Sequence, residues 1–269
     1  MTAPHRVGLI VPSSNVTMET ELPALLGRHP AAAGRGVTFH SSRAVLHRVD
    51  AESLRRMREE SERCAGELAD AKVDVVAYAC LIAIMAEGKG AHEAAEERLA
   101  NVLAATHSPV PVTSSAGALV RTLQRLGAEQ VAIVTPYLKP LTGVVVDYLA
   151  AYGIRVGDSI SLEVADNVEV GRLDPAKLIE YAKGLRLTRA DAVVLSACVQ
   201  MPSLTVIDEA GRELGLPVLS AAAATAREVL TLLGEEPVIP GAGAALTLSR
   251  PVSQPLLGSP DNAAETDVG

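Results

Sequence analysis

Asp74-Val75-Val76-Ala77-Tyr78-Ala79-Cys80 and Asp191-Ala192-Val193-Val194-Leu195-Ser196-Ala197-Cys198 are two copies of one pattern, and their reading decides the fold. Each is a short run rich in β-branched residues that ends at small residues and then a thiol, the signature of a buried parallel strand. Open α/β sheets place their chemistry at the carboxyl ends of such strands. Related by a pseudo-twofold axis, the two thiols would face one pocket. Outward from this pair, Arg6-Val7-Gly8-Leu9-Ile10-Val11-Pro12-Ser13-Ser14-Asn15 resembles Gln130-Val131-Ala132-Ile133-Val134-Thr135-Pro136-Tyr137. Pro111-Val112-Thr113-Ser114 resembles Pro217-Val218-Leu219-Ser220. The matches keep their order, at separations from 106 residues (Ser114 to Ser220) to 124 (Pro12 to Pro136).

Three ordered matches predict an α/β protein of two pseudo-symmetric, Rossmann-like parallel-sheet halves with the active site between them. The halves are 1–127, carrying Cys80, and 128–250, carrying Cys198. Strands are expected near 6–11, 36–43, 73–78 and 111–113, then 130–135, 154–163, 191–196 and 217–219. Helices fill the gaps near 17–27, 51–71, 91–106, 115–127, 138–152, 174–184, 203–215 and 221–233. This βα alternation implies right-handed crossovers. Gly127 reads as the helix C-cap at the junction. The Pro-, Ser- and Gly-containing stretch 251–269 lacks periodicity and is expected to be a disordered tail. Within 51–71, Leu54, Met57, Ser61, Cys64 and Leu68 share one helical stripe, so Cys64 is expected to pack as a small hydrophobe.

Aromatic residues are only 2% of the chain and Trp is absent, so the core must be built from Ala, Val, Leu and Ile. A net charge of −8 without basic clusters excludes a nucleic-acid surface. No stretch approaches the roughly 20 apolar residues of a membrane span. Three cysteines without a secretory signal predict a reducing, cytoplasmic setting. There is no G-x-G-x-x-G after the first strand and no Walker A string, so no nucleotide cofactor is expected. The six histidines show neither His-x-x-x-His spacing nor pairing with the cysteines, and no metal is expected.

Cys80 and Cys198 have two readings, as core cysteines at strand ends or as a pair of reactive thiols; their symmetric placement favours the second. A helix N-terminus behind a thiol lowers its pKa, and on that ground Cys80 is expected to alkylate readily. Ser14 and Asn15, after the first strand, either cap the next helix or donate to a carboxylate. Tyr137 holds the matching position in the second half, as a second donor or as an interface aromatic. Asn167 follows the second strand of that half, in a loop, and Ser114 or Ser115 caps a helix.

Pro12-Ser-Ser-Asn15-Val-Thr-Met-Glu-Thr-Glu21, Ala77-Tyr-Ala-Cys80-Leu-Ile-Ala-Ile-Met85, Ser114-Ser-Ala-Gly-Ala-Leu-Val120, Thr135-Pro-Tyr137-Leu-Lys-Pro-Leu-Thr142 and Leu195-Ser-Ala-Cys198-Val-Gln-Met-Pro-Ser203 closely resemble the maleate cis-trans isomerases of the aspartate/glutamate racemase superfamily. The resemblance runs from about residue 6 to residue 235. It implies a cofactor-independent homodimer that converts a small dicarboxylate, maleate, to fumarate through a succinyl-cysteine. It implies Cys80 as nucleophile and Cys198 as its acid/base partner. Asn15, Tyr137 and Asn167, with Ser14 beside them, would bind carboxylate together with backbone amides at Leu81, Ile82, Val199 and Gln200. Within the superfamily, a two-thiol amino-acid or hydantoin racemase and an arylmalonate-type decarboxylase are the alternatives. A non-catalytic carboxylate-binding sensor is the alternative of another class.

Overall fold

The computed structural model describes residues 3–46, 50–106 and 109–247. In the first half the strands are β1 (His5–Pro12), β2 (Val37–Ala44), β3 (Val75–Tyr78) and β4 (Val112–Ser114). Its helices are α1 (Met18–Leu26), α2 (Pro30–Gly34), α3 (Ala51–Asp70), α4 (Leu81–Met85), α5 (Ala91–Thr106) and α6 (Ser115–Arg125). The second half has strands β5 (Gln130–Thr135), β6 (Arg155–Ser161), β7 (Ala192–Ser196) and β8 (Val218–Ser220). Its helices are α7 (Lys139–Ala151), α8 (Asn167–Val170), α9 (Ala176–Lys183), α10 (Ile207–Leu214) and α11 (Ala221–Leu232), followed by a 3-10 turn, Ala244–Leu246.

The strands form two parallel sheets of identical order, β2-β1-β3-β4 and β6-β5-β7-β8. The expected α/β architecture is therefore present in both halves. Helices cover both faces, which is why β1, β3, β5 and β7 are apolar runs rather than alternating ones. In each sheet the order reverses beside the first strand, between β1 and β3 and between β5 and β7. Loops leaving the carboxyl ends of those four strands meet at such a switch point. They carry Asn15, Cys80, Tyr137 and Cys198.

Three one-turn helices, α2, α4 and α8, escape the sequence reading because four or five residues cannot display a 3.6 period. Asn167 accordingly heads α8 instead of lying in a loop. Ser114 and Ser220 cap α6 and α11 alike, each accepting a backbone N–H at 3.1 Å, from Gly117 and Ala223. The capped helices pack against each other across the halves, where Thr225 Oγ1 meets Ser115 Oγ at 3.1 Å. Gly127 closes α6 with φ of 67°, a conformation that favours glycine. The stripe Leu54, Met57, Ser61, Cys64 and Leu68 is buried, and Cys64 is a free thiol in the core. Residues 251–269, His47 and His107 lie outside the described residues. No described helix is long and apolar enough to cross a membrane.

Glu21 of α1 joins the halves, its carboxylate accepting from the backbone N–H of Ser203 at 2.6 Å and of Leu204 at 2.7 Å. Burial raises its pKa above the ordinary 4.5, against the lowering effect of those N–H groups. The folded carboxyl thus holds its proton more tightly than the unfolded one. Its contribution to stability is full below pH 4.5 and is lost as pH rises through the folded value. Glu21→Ala strands two N–H groups and should cost about 2–3 kcal/mol in urea unfolding, whereas Glu21→Gln keeps an acceptor and should cost less than about 1 kcal/mol. Equal losses would contradict this account.

Candidate active site

A cavity where the two sheets' carboxyl ends meet is lined by Pro12, Asn15, Leu46, Ala79, Cys80, Leu81, Ile82, Tyr137, Asn167, Cys198, Val199 and Gln200. Its volume is about 20 Å³, room for one water. No lining side chain carries a fixed charge, so an anion here is met by thiols, amides, a phenol and backbone N–H groups. Across Tyr137 and Asn167 lies a roomier chamber of about 210 Å³, whose walls include Leu138, Leu141, Val164 and Val170. No group of three or more His, Cys, Asp or Glu side chains able to hold a metal occurs among the described residues.

Cys80 is the N-cap of α4 and is 3% exposed. Its sulfur makes no capping hydrogen bond to the helix, whose leading N–H groups are those of Leu81, Ile82 and Ala83. Cys198 lies in the turn after β7, where the N–H of Gln200 reaches its sulfur at 3.3 Å. Ser196 Oγ pins that turn by donating to the carbonyls of Cys198 and Met201, at 2.8 and 3.0 Å. The Tyr137 hydroxyl acts on the same sulfur, lowering the Cys198 thiol's pKa. Tyr137 is held from behind, because the N–H groups of Glu163 and Val164 donate to the Tyr137 and Pro136 carbonyls.

Asn15 fills the capping role with one end of its amide and leaves the other end toward the cavity. Its Oδ1 accepts the N–H of Met18 at 3.0 Å, capping α1 and fixing which way the amide points. Nδ2 then faces the second half, with only a long bond of 3.4 Å to the Val199 carbonyl. Asn167 Nδ2 donates to Ser14 Oγ at 2.7 Å, and Ser14 Oγ donates to the Leu46 carbonyl at 2.6 Å. Ser14 therefore stands behind Asn167 and is not on the cavity wall. The other sequence-level candidates, Asn15, Cys80, Leu81, Ile82, Tyr137, Asn167, Cys198, Val199 and Gln200, share the one cavity. Sequence reasoning missed Pro12, Leu46 and Ala79 as wall residues. Of these only Pro12, paired with Pro136 in the repeat, carried a signal.

Burial bears on the expected reactivity of Cys80. Burial first, and then negative charge on Cys198, push the Cys80 thiol up to about 12, against the lowering effect of the Ala83 N–H. Burial likewise raises Cys198, opposed by Tyr137 and the N–H groups of Gln200 and Met201. Tyr137 is raised well above its ordinary value by burial and then by Cys198. A single helix turn does not outweigh the loss of water around the sulfur. On that ground Cys80 is expected to be protonated and to alkylate slowly. Its reaction with neutral iodoacetamide, followed by peptide mass spectrometry, should keep rising beyond about pH 10. A plateau near neutrality would contradict this.

A sequence model of the arylmalonate decarboxylase family matches residues 7–246. The chain is 53% identical over 248 residues to the maleate isomerase of Geobacillus stearothermophilus, covering 92% of this chain and 99% of that one. The solved maleate isomerase of Pseudomonas putida superimposes with a TM-score of 0.88 at 49% identity, over 90% of this chain and 98% of the other. A cysteine-to-serine variant of the Nocardia farcinica maleate cis-trans isomerase, solved with a covalently bound succinylcysteine intermediate, superimposes with a TM-score of 0.87. There the identity is 48%, over 91% of this chain and 99% of the relative. Identity near one half over almost the whole chain, joined to a shared fold, assigns the protein: it belongs to the maleate isomerases, within the arylmalonate decarboxylase family.

Proposed function

We propose that this protein isomerises maleate to fumarate through a covalent succinyl adduct on Cys80, with Cys198 as acid and base. The observation that carries the proposal is the meeting of two thiols from separate halves with Asn15, Tyr137 and Asn167 around one uncharged cavity. A C=C bond must lose its double-bond character before it can rotate, since even the partial double bond of a peptide resists by about 18–20 kcal/mol.

The Cys80 sulfur bonds to one alkene carbon, which its neighbour's carboxylate activates. The π electrons move toward that carboxylate, where amide, phenol and backbone donors stabilise them. Cys198 gives its proton to the second carbon and receives the proton that leaves Cys80. The thioether that results has a single central bond, which rotates. The same transfers in reverse then expel Cys80 and leave the trans alkene. Pairing the two thiols in this way avoids a free thiolate beside a dianion in a dry cavity, consistent with the raised Cys80 thiol.

Every step is an addition, a proton transfer or a rotation, so the reaction requires no cofactor. The cavity walls must part to admit the substrate, because a dicarboxylate is far larger than one water. Asn15, Tyr137 and Asn167 bind the carboxylates with N–H groups at Leu81, Ile82 and Val199, while Gln200 spends its own N–H on the Cys198 sulfur. Free thiols at Cys64, Cys80 and Cys198 fit a reducing cytoplasm. The working form is a homodimer, as the family resemblance implies, and sedimentation would test it. Proton NMR of maleate with purified, EDTA-treated protein tests the activity: the fumarate vinyl signal is expected, and unchanged maleate with folded, reduced protein would reject the assignment.

A further inference from the structure

Gln200 lies beside the proton-carrying thiol and spends its whole side chain on the protein. Its Oε1 accepts the N–H groups of Val16 and Thr17, at 3.0 and 3.3 Å. Its Nε2 donates to the carbonyls of Ser14, at 3.1 Å, and Asn167, at 2.9 Å. Thr17 Oγ1 returns a bond to the Gln200 carbonyl at 2.7 Å. Three loops thus converge on one side chain: the one after β1 that carries Asn15, the turn after β7 that carries Cys198, and the start of α8 with Asn167. The side chain is 2% exposed and has no donor or acceptor left to offer a ligand.

A second observation comes from α8. Gly171 closes that helix with an ordinary φ of −69°, so backbone conformation does not call for glycine there. Space does: a Cβ at Gly171 would stand 2.6 Å from Gln200 Nε2 and 3.1 Å from its Cδ. The α8 backbone has been left bare where the amide passes.

We propose that the Gln200 side chain is a positioning residue that sets the proton donor Cys198 against the carboxylate donors Asn15 and Asn167. Cys80 is held separately, as N-cap of α4 after β3, and the side-chain hydrogen bonds of Gln200 go to neither element. This inference rests on the reaction proposed above for its effect on turnover, but the geometry it asserts can be read from the thiols alone.

The test compares Gln200→Met, Gln200→Glu and Gly171→Ala with the wild type, by maleate turnover and by separate iodoacetamide labelling of Cys80 and Cys198 against pH. Gln200→Met removes all four side-chain bonds and should lower kcat on the order of 100-fold, the cost of misplacing a reacting group by about 1 Å. Labelling of Cys198 should shift to a different pH range by more than that of Cys80, which feels the change only through the charge on Cys198. A residue that merely held the fold together would move both thiols alike or neither. Gln200→Glu sets a carboxylate against the Ser14 and Asn167 carbonyls. Its deficit should shrink on going from about pH 8 to about pH 6, as protonation restores one donor. Cys80, Cys198, Tyr137 and Glu21 titrate in both proteins, so the ratio of variant to wild type is what is read.

Gly171→Ala keeps the glutamine and displaces it, and should reproduce the Cys198 shift with a loss of several-fold in kcat; it decides the matter if Gln200→Met does not fold. Wild-type kcat in Gln200→Met, an equal deficit of Gln200→Glu at both pH values, or unchanged Cys198 labelling in Gly171→Ala would each overturn the proposal. Absence of turnover in the wild type would sink the proposed reaction instead, and the labelling profiles would still decide the role of Gln200.

Discussion

Replacing Cys80 with serine is expected to abolish isomerisation, lowering kcat on the order of 10⁴-fold or more. A serine hydroxyl keeps the shape of the thiol and its place as N-cap of α4. It is a far weaker nucleophile than sulfur, and its proton is too tightly held for the Cys198 thiol beside it to take up the difference. The fold should survive, because the side chain is small and the surrounding wall residues are unchanged. Vinyl-proton NMR with circular dichroism as a folding control measures both. Turnover above about 1% of wild type in folded Cys80→Ser protein would remove Cys80 from the nucleophile's role.

The second large effect is expected at Cys198. Cys198→Ala deletes the proton carrier while leaving Cys80, α4 and the Ala83 N–H in place. Addition to the alkene then yields a carbanion with no acid to quench it, and the adduct collapses back to maleate. Loss of general acid–base assistance is worth about 10²–10⁴-fold, and kcat should fall within that range. Cys80 in this variant should remain open to alkylation. With the neighbouring charge gone, its reaction should move toward lower pH, since charge on Cys198 raises the Cys80 thiol. Full turnover by Cys198→Ala would show that water or the substrate itself supplies the proton.

Much of this arrangement could be read from the sequence, for identifiable reasons. Residues 131–134 of β5 and 192–195 of β7 are buried on both faces, so their apolar runs stand out without any three-dimensional information. The repeat of Pro12 at Pro136 and of Cys80 at Cys198 located the loops, and parallel-sheet topology brings those loops together. What escaped depends on contacts made across the halves. Leu46 reaches the cavity because its backbone is bonded to Ser13 and Ser14, which no local pattern announces. The role of the Gln200 amide depends on Val16, Thr17 and Asn167, all distant in sequence. One-turn helices leave no period, so α4 and the placing of Asn167 on α8 were invisible. The thiol environment is hidden for the same reason: a helix N-terminus can be inferred locally, but the depth of burial that opposes it cannot.

The central claim, carbon–sulfur bonding at Cys80, is tested most directly by peptide mass spectrometry of Cys198→Ser protein exposed to maleate and quenched in acid. Serine retains a slow proton donor, so the adduct should form and persist. The account predicts a succinyl group on the peptide containing Cys80 and on no other. Unmodified Cys80, or a succinyl group carried by a different residue, would contradict it.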